Sequence, residues 1–161
     1  MVQETQVMTP VFADRQHQAA LVSEAMTWLD TPFHAHAGIK GAGVDCVQLA
    51  LQIYLASGFL NGSVTLPTYS MDGGNHRTES QVEEWIRKSG RFAAIEPTSI
   101  LADWMPGDLL GFNVGKVVHH VGLALEHQQF IHVMKGQDVC IATIADPTWW
   151  RRLRHVWRPM E

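Results

Sequence analysis

Apolar and polar positions in the first part of this chain follow a helical period. Two stretches carry apolar residues at every third or fourth position and predict helices that begin near Asp14 and at Cys46. The second stretch is apolar around most of its circumference, so we expect that helix to lie in the centre of the domain. Residues 30–32, Asp-Thr-Pro, end the first helix. Gly58 is suited to a left-handed cap on the second.

Three further segments complete this part of the chain. Residues 1–12 show no period and are expected to form a loose N-terminal arm, and residues 61–75 are expected to form an irregular polar stretch. Residues 78–81, Thr-Glu-Ser-Gln, have the pattern of a capping box. They predict a short helix that ends at Gly90 and has a buried face formed by Val82, Trp85 and Ile86.

The pattern changes after Pro106 to short segments rich in β-branched, aromatic and aliphatic residues. Such segments predict the strands of an antiparallel meander, at residues 108–112, 120–125, 130–134, 139–144 and 154–158. Helices followed by strands indicate an α+β domain, in which the Cys46 helix packs on an antiparallel sheet of about five strands. We expect residues 1–161 to form this single domain, and the basic run at 151–154 to lie on one face of one element.

Composition and charge exclude several classes of protein. A formal net charge of −4 argues against nucleic acid or an anionic membrane surface as the main partner. The sequence has no apolar run long enough to span a membrane. Its N-terminus lacks the basic and apolar regions of a signal peptide, so we expect synthesis in the cytoplasm without secretion. Two cysteines are too few for a disulfide framework.

Cys46 is the first candidate for chemistry, because the predicted helix places it in a first turn reached through a glycine loop. Unpaired backbone N–H groups and the helix dipole favour a thiolate there, so we expect the pKa of Cys46 to lie below that of an ordinary thiol. The alternative is a small buried apolar side chain. Cys140 has alternating apolar neighbours in a predicted strand and is most simply a core residue.

A thiolate nucleophile needs a base, and two histidines in consecutive predicted strands are candidates. Eleven residues separate His120 from His132. An odd hairpin loop of three or five residues around Glu126 would place both imidazoles side by side on one face. A two-residue loop would send His132 to the other face, because one step of register reverses every side chain.

These residues lie in four motifs that resemble a known family: Gly43-Val44-Asp45-Cys46, Pro106-Gly107-Asp108-Leu109-Leu110-Gly111-Phe112, His119-His120-Val121-Gly122-Leu123-Ala124 and Phe130-Ile131-His132-Val133. In this order they resemble the NlpC family of bacterial cell-wall cysteine peptidases, which have a reduced papain-like fold. The resemblance extends from about Trp28 to Trp157. Residues 28–33 and 150–154 most resemble the branch encoded by tailed phages and gene-transfer agents.

The resemblance implies a Cys-His-His triad that needs no cofactor. Cys46 would attack an amide carbonyl, His120 would act as base and then acid, and His132 would orient His120. The implied substrate is the stem peptide of peptidoglycan, cut after γ-D-glutamate and before diaminopimelate or lysine. Phage-tail proteins are the other implied partners, and a protein without a signal peptide would reach the cell wall through a virion.

Further residues are placed near the substrate by the same resemblance. Asp45 would lie near the N-terminal side of the stem peptide, a role compatible with capping the helix. Phe33 stands where the family often has a tyrosine near the oxyanion, so His34 or His36 could substitute for its hydroxyl. His119 adjoins His120 and points to the opposite face of its strand. The usual Ser-Gly after the cysteine is Val-Gln in this chain.

Several alternatives stay open at this point. Cys46, His120 and His132 are ligand types that suit zinc, although their spacing is not typical of a zinc site. Residues 149–150, Trp-Trp, could stack on sugar rings or pack at the C-terminus. The chain could be a non-catalytic adaptor of a tail or envelope complex, or a transferase or deamidase that uses the same thiol chemistry.

Overall fold

The computed structural model describes residues 7–60, 66, 69, 81–96, 104–114 and 117–161, without the side chains of residues 114 and 117–119. It contains the three expected helices, which are α1 (Arg15–Met26), α2 (Cys46–Ser57) and α3 (Gln81–Ser89). Asp14 and Asp45 cap the first two at their N-termini, and Gly58 ends α2 with a φ of 84°. The predicted irregular stretch, except Leu66 and Tyr69, and residues 78–80 of the capping box lie outside the described residues.

An antiparallel sheet of six strands forms the other layer, in the order β3-β8-β4-β5-β6-β7. Its strands are β3 (Phe92–Ile95), β4 (Leu109–Val114), β5 (Val117–Ala124), β6 (Gln129–His132), β7 (Cys140–Thr143) and β8 (Leu153–Pro159). The expected mixed α+β architecture is confirmed. A two-stranded ribbon, β1 (Gly38–Ile39) and β2 (Gly43–Val44), precedes α2.

The meander prediction is correct for β4 to β7 and wrong for the last strand. A short helix, α4 (Pro147–Arg152), follows β7 and returns the chain, so that β8 pairs with β4 and β3 instead of β7. The periodic pattern did not reveal α4 or β3. The basic run at residues 151–154 spans the end of α4 and the start of β8 and therefore does not form one face of a single element.

Side chains on the two faces of the sheet belong to two separate cores, because neighbouring residues of a strand point in opposite directions. The larger core contains apolar residues of α1, α2 and α3 and one face of the sheet, including Leu49, Ile53, Leu123 and Ile131. The smaller core lies on the other face, where α4 covers Phe112 and Phe130. Among the described residues, no helix is sufficiently long and apolar to cross a membrane.

Part of the predicted N-terminal arm is docked on the sheet instead of loose. The backbones of Thr9 and Glu161 exchange two hydrogen bonds of 2.7 and 2.9 Å. Phe12 is buried in the larger core, where its ring lies close to those of Tyr54 and Phe59. A single aromatic residue without a periodic neighbour gave no signal of this burial in the sequence.

Candidate active site

The loop before α2 presents Cys46 at the first position of the helix. Asp45 is fully buried, and its Oδ1 accepts the backbone N–H of Gln48 at 2.8 Å, so its predicted role as a cap is confirmed. Gly43 is required in this loop because a Cβ there would lie 2.7 Å from the Cβ of His34. The local sequence therefore determines the position of the cysteine at the helix N-terminus.

The expected lowering of the Cys46 pKa is wrong for this structure. Three backbone N–H groups do favour the thiolate, those of Cys46, Val47 and Val121. Cys46 is only 2% exposed, however, and burial raises the pKa of its thiol to about 12, with a further contribution from the Asp45 carboxylate. Burial depends on what packs over the helix start, which the local sequence pattern does not show. Cys46 is therefore a neutral thiol at rest.

The two candidate histidines lie side by side on the same face, as their spacing predicted. Nε2 of His120 is 3.0 Å from Nδ1 of His132. The register is shifted by two residues from direct opposition, since Leu123 pairs with Ile131. His132 therefore stands diagonally across from His120, and the three-residue loop is centred on His127 instead of Glu126.

Aromatic side chains enclose this imidazole pair on the side of the sheet covered by α4. The Trp149 ring centroid is 5.7 Å from that of His120 and 4.7 Å from that of His132. Phe112 and Phe130 complete the enclosure. Gly122 makes room for it, because a Cβ there would be 2.7 Å from the Phe130 ring. Trp149 thus has the packing role that was one of its two alternatives.

Burial lowers the pKa of His132 to about 4, so the ring is neutral at neutral pH. In the unfolded chain His132 has its usual pKa of about 6.5 and is protonated below that pH. In the folded protein its pKa is about 4, so it takes up a proton only near pH 4. His132 therefore contributes stability that is complete above pH 6.5 and is lost as the pH falls through 4. The free energy of unfolding falls by at most about 3 kcal/mol through this titration.

We expect His132→Asn to flatten the pH dependence of stability between 6.5 and 4. Urea unfolding of the wild type, of His132→Asn and of His34→Asn at several pH values measures this effect. His34 is an exposed control and should leave the wild-type profile unchanged. Equal acid-induced losses in all three proteins would contradict a buried neutral His132.

The Cys46 thiol lies near β5, since the backbone N–H of Val121 is one of the groups that favour its thiolate form. Val121 directly follows His120 in this strand. The side chain of Val121 lies in the same core as Cys46, while the His120 ring contacts residues of the other face. Direct contact between the sulfur and the His120 ring stays a prediction.

The buried Asp45 carboxylate has two more partners above the helix start. Its Oδ2 accepts the backbone N–H of His36 at 2.7 Å and the hydroxyl of Tyr69 at 2.6 Å. The rings of His36 and Tyr69 lie 4.7 Å apart. Burial and the hydrogen bond to Asp45 raise the pKa of Tyr69. A substrate group that binds Asp45 would have to replace one of these partners.

Phe33, His34 and His119 are the other residues predicted to contact the substrate. Phe33 is partly buried and packs against the larger core. His34 is exposed, and its Nδ1 lies 3.2 Å from the carbonyl oxygen of Ala35. His119 lies in β5, and its side chain is not among those that the structure describes. In the described part of the chain, no group of three His, Cys, Asp or Glu side chains is arranged to hold a metal ion.

Sequence reasoning did not place three further residues at the predicted site, which they contact in the structure. Tyr69 lies in a stretch without a period, and Trp149 lies in the unpredicted helix α4. Cys140 lies 3.6 Å from His132 through its Sγ. A signal for Cys140 did exist, because seven residues separate it from His132 and an odd loop again places both on one face.

Residues 31–158 match the sequence profile of the NlpC/P60 family. The chain belongs to the NlpC/P60 family. This match covers both histidines, the cysteine and all of the large sheet except Pro159, the last residue of β8. No curated protein shows significant sequence similarity to this chain.

Solved NlpC/P60 structures share the fold at low sequence identity. The NlpC/p60 domain of the peptidoglycan hydrolase SagA has a TM-score of 0.55 and 22% identity, covering 86% of this chain and 96% of that domain. A lipoprotein-like NLP/P60 protein from Staphylococcus aureus has a TM-score of 0.61 and 21% identity over 95% of this chain, which spans 44% of that protein. RipD from Mycobacterium tuberculosis, a non-catalytic NlpC/p60 domain protein, has a TM-score of 0.55 and 16% identity. The similarity covers 90% of this chain and 98% of the RipD structure.

Proposed function

We propose that this NlpC/P60 protein is a cysteine endopeptidase that hydrolyses the stem peptides of peptidoglycan. The observation that carries the proposal is the hydrogen-bonded pair of His120 and His132 on β5 and β6. The backbone N–H of Val121, the residue after His120, is one of the groups that favour the Cys46 thiolate. Nucleophilic acyl transfer needs a thiol within reach of such a histidine pair, and in this proposal Cys46 at the N-terminus of α2 supplies it.

The raised pKa of Cys46 requires a base at the moment of attack. With Nε2 of His120 engaged by His132, the proton of the thiol would pass to Nδ1 of His120 as the sulfur attacks the carbonyl carbon. Backbone N–H groups at the start of α2 would stabilise the oxyanion. His120 would then protonate the leaving amine, and water would hydrolyse the thioester with His120 again acting as base.

We assign the cleaved bond to the one between γ-D-glutamate and diaminopimelate or lysine, following the resemblance of the four motifs. Asp45 is the candidate for the N-terminal side of the stem peptide, after displacement of the Tyr69 hydroxyl from its Oδ2. Phe33, His34 and His119 are further candidates for contact with the substrate.

We also propose that the protein acts with a phage tail or prophage. The support is the resemblance of residues 28–33 and 150–154 to the branch encoded by tailed phages and gene-transfer agents. In this proposal the protein is synthesised in the bacterial cytoplasm and reaches the cell wall with a virion.

A second candidate function is non-catalytic binding to the cell wall. The buried, neutral thiol of Cys46 favours it, because such a thiol is inert until a base and an open path are provided. The fold similarity to RipD shows that the same architecture occurs in a protein described as non-catalytic.

Incubation with purified muropeptides, followed by mass spectrometry, separates these functions. Hydrolysis between D-glutamate and the third residue should give two fragments that together contain one added water. Joined peptides would indicate a transferase, and conversion of an amide to an acid without fragments would indicate a deamidase. Retention of intact peptidoglycan without any new mass would support the binding function.

A further inference from the structure

A second cysteine lies at the far end of the imidazole pair. Cys140 pairs directly with His132 across β6 and β7, so both side chains are on the same face of the sheet. The Sγ of Cys140 is 3.6 Å from Nε2 of His132, and Nδ1 of His132 is 3.0 Å from Nε2 of His120. The thiol and the two rings therefore form one continuous line of hydrogen-bonding groups.

We propose that Cys140 is a positioning residue that selects the tautomer of His132 and thereby the ring nitrogen on which His120 carries its proton. The inference rests on the proposed hydrolase function, since it concerns the base of that reaction. Cys140 acts through His132 and does not touch the substrate.

His132 has a single ring proton to place on one of its two nitrogens. The ring is 2% exposed and neutral, and a neutral imidazole has one N–H donor and one acceptor nitrogen. If Nδ1 carries the proton, it donates to His120 and Nε2 must accept from the Cys140 thiol. If Nε2 carries the proton, it donates to the Cys140 sulfur and Nδ1 accepts from His120.

Catalysis needs the second of these two states. His120 can take the Cys46 proton on Nδ1 only if its own proton is already on Nε2. That N–H then donates to Nδ1 of His132, and the proton of His132 must lie on Nε2, facing the Cys140 sulfur. In the first state His120 would carry its proton on Nδ1 and could not act as the base.

A thiol suits this position because it can serve as donor or acceptor, so it remains a partner in both states. A valine would keep the packing but could accept nothing. The buried N–H of His132 would then lack a partner. An unpaired buried N–H costs more free energy than an unpaired buried acceptor nitrogen. Valine at position 140 would therefore favour the state in which His120 is not a base.

The test compares Cys140→Val with Cys140→Ser in muropeptide hydrolysis. Loss of one neutral hydrogen bond should lower the kcat of Cys140→Val roughly three- to tenfold, with KM unchanged. Cys140→Ser keeps a donor and acceptor and should restore kcat to within about twofold. Ala142→Ser, on the same strand and face, is the matched control and should retain the wild-type kcat.

Nitrogen-15 NMR of the histidine rings supplies a second readout, because the chemical shifts of Nδ1 and Nε2 report which nitrogen is protonated. His132 should carry its proton on Nε2 in the wild type and Cys140→Ser, and on Nδ1 in Cys140→Val. Equal kcat values and the same tautomer in an active wild type and in Cys140→Val would overturn the role of Cys140 and leave the proposed function standing. A wild type inert on every muropeptide would overturn the proposed function, and with it the catalytic role of this hydrogen bond.

Discussion

Replacing Cys46 with alanine is expected to abolish hydrolysis of stem peptides while leaving the protein folded. The sulfur is the proposed nucleophile, so kcat should fall by at least about a thousandfold. The change removes one buried atom at the start of α2 and should lower the free energy of unfolding by no more than about 1–2 kcal/mol. Cleavage of a γ-D-glutamyl-diaminopimelate peptide, with circular dichroism of each variant, measures both effects.

The control for Cys46→Ala is Ser57→Ala at the opposite end of the same helix, which should keep wild-type kcat. His120→Ala should be nearly as damaging as Cys46→Ala, because nucleophile and base act as a unit. His132→Ala should leave more residual activity, since it removes only the partner of His120 Nε2. Equal hydrolysis by wild type and Cys46→Ala would exclude the cysteine mechanism. If both proteins are inert on every stem peptide and both bind cell wall or tail proteins, the non-catalytic function is favoured.

Replacing Arg158 with alanine is expected to lower the free energy of unfolding by about 3–5 kcal/mol. The guanidinium of Arg158 donates to both carboxylate oxygens of Asp108, at 3.0 and 2.9 Å. Asp108 is fully buried, and burial raises the pKa of its carboxyl although Arg158 opposes the shift. Without the arginine, a buried carboxylate would lose its countercharge, which costs far more than an exposed ion pair contributes.

Urea unfolding of Arg158→Ala and of Arg154→Ala at neutral pH tests this prediction. Arg154 lies on the same strand, is exposed and bonds only backbone carbonyls in its described contacts, so its loss should cost well under 1 kcal/mol, as is usual for surface substitutions. Asp108→Leu combined with Arg158→Met removes both charges and should be less destabilising than Arg158→Ala. A loss below about 1 kcal/mol for Arg158→Ala would show that the pair behaves like a surface ion pair.

The parts of the fold predicted correctly are those that depend on neighbouring residues. The helix at Cys46 follows from the Asp45 cap, a continuous apolar run and Gly58, all within about four turns. The shared face of His120 and His132 follows from the two-residue period of a strand and an odd loop. Neither inference requires knowledge of how distant segments pack.

The parts predicted wrongly depend on distant contacts. The register of β5 and β6 is shifted by two residues from direct pairing of the histidines because the loop is centred on His127 instead of Glu126, a choice that parity alone cannot make. The last strand returns to β4 through the short helix α4, which no periodic pattern indicated. The N-terminal arm docks because Phe12 finds a place against Tyr54 and Phe59.

The sequence by itself determined that Cys46 begins a buried helix and that two histidines share a sheet face, because capping and strand alternation act within a few residues. Only the tertiary structure decided the protonation of these groups. The helix N-terminus favours the Cys46 thiolate, but burial by distant segments outweighs it and raises the pKa to about 12. Burial likewise makes His132 neutral and leaves Cys140 as a partner for its second nitrogen. Desolvation is a property of the whole packed domain, so no local pattern could have shown its sign.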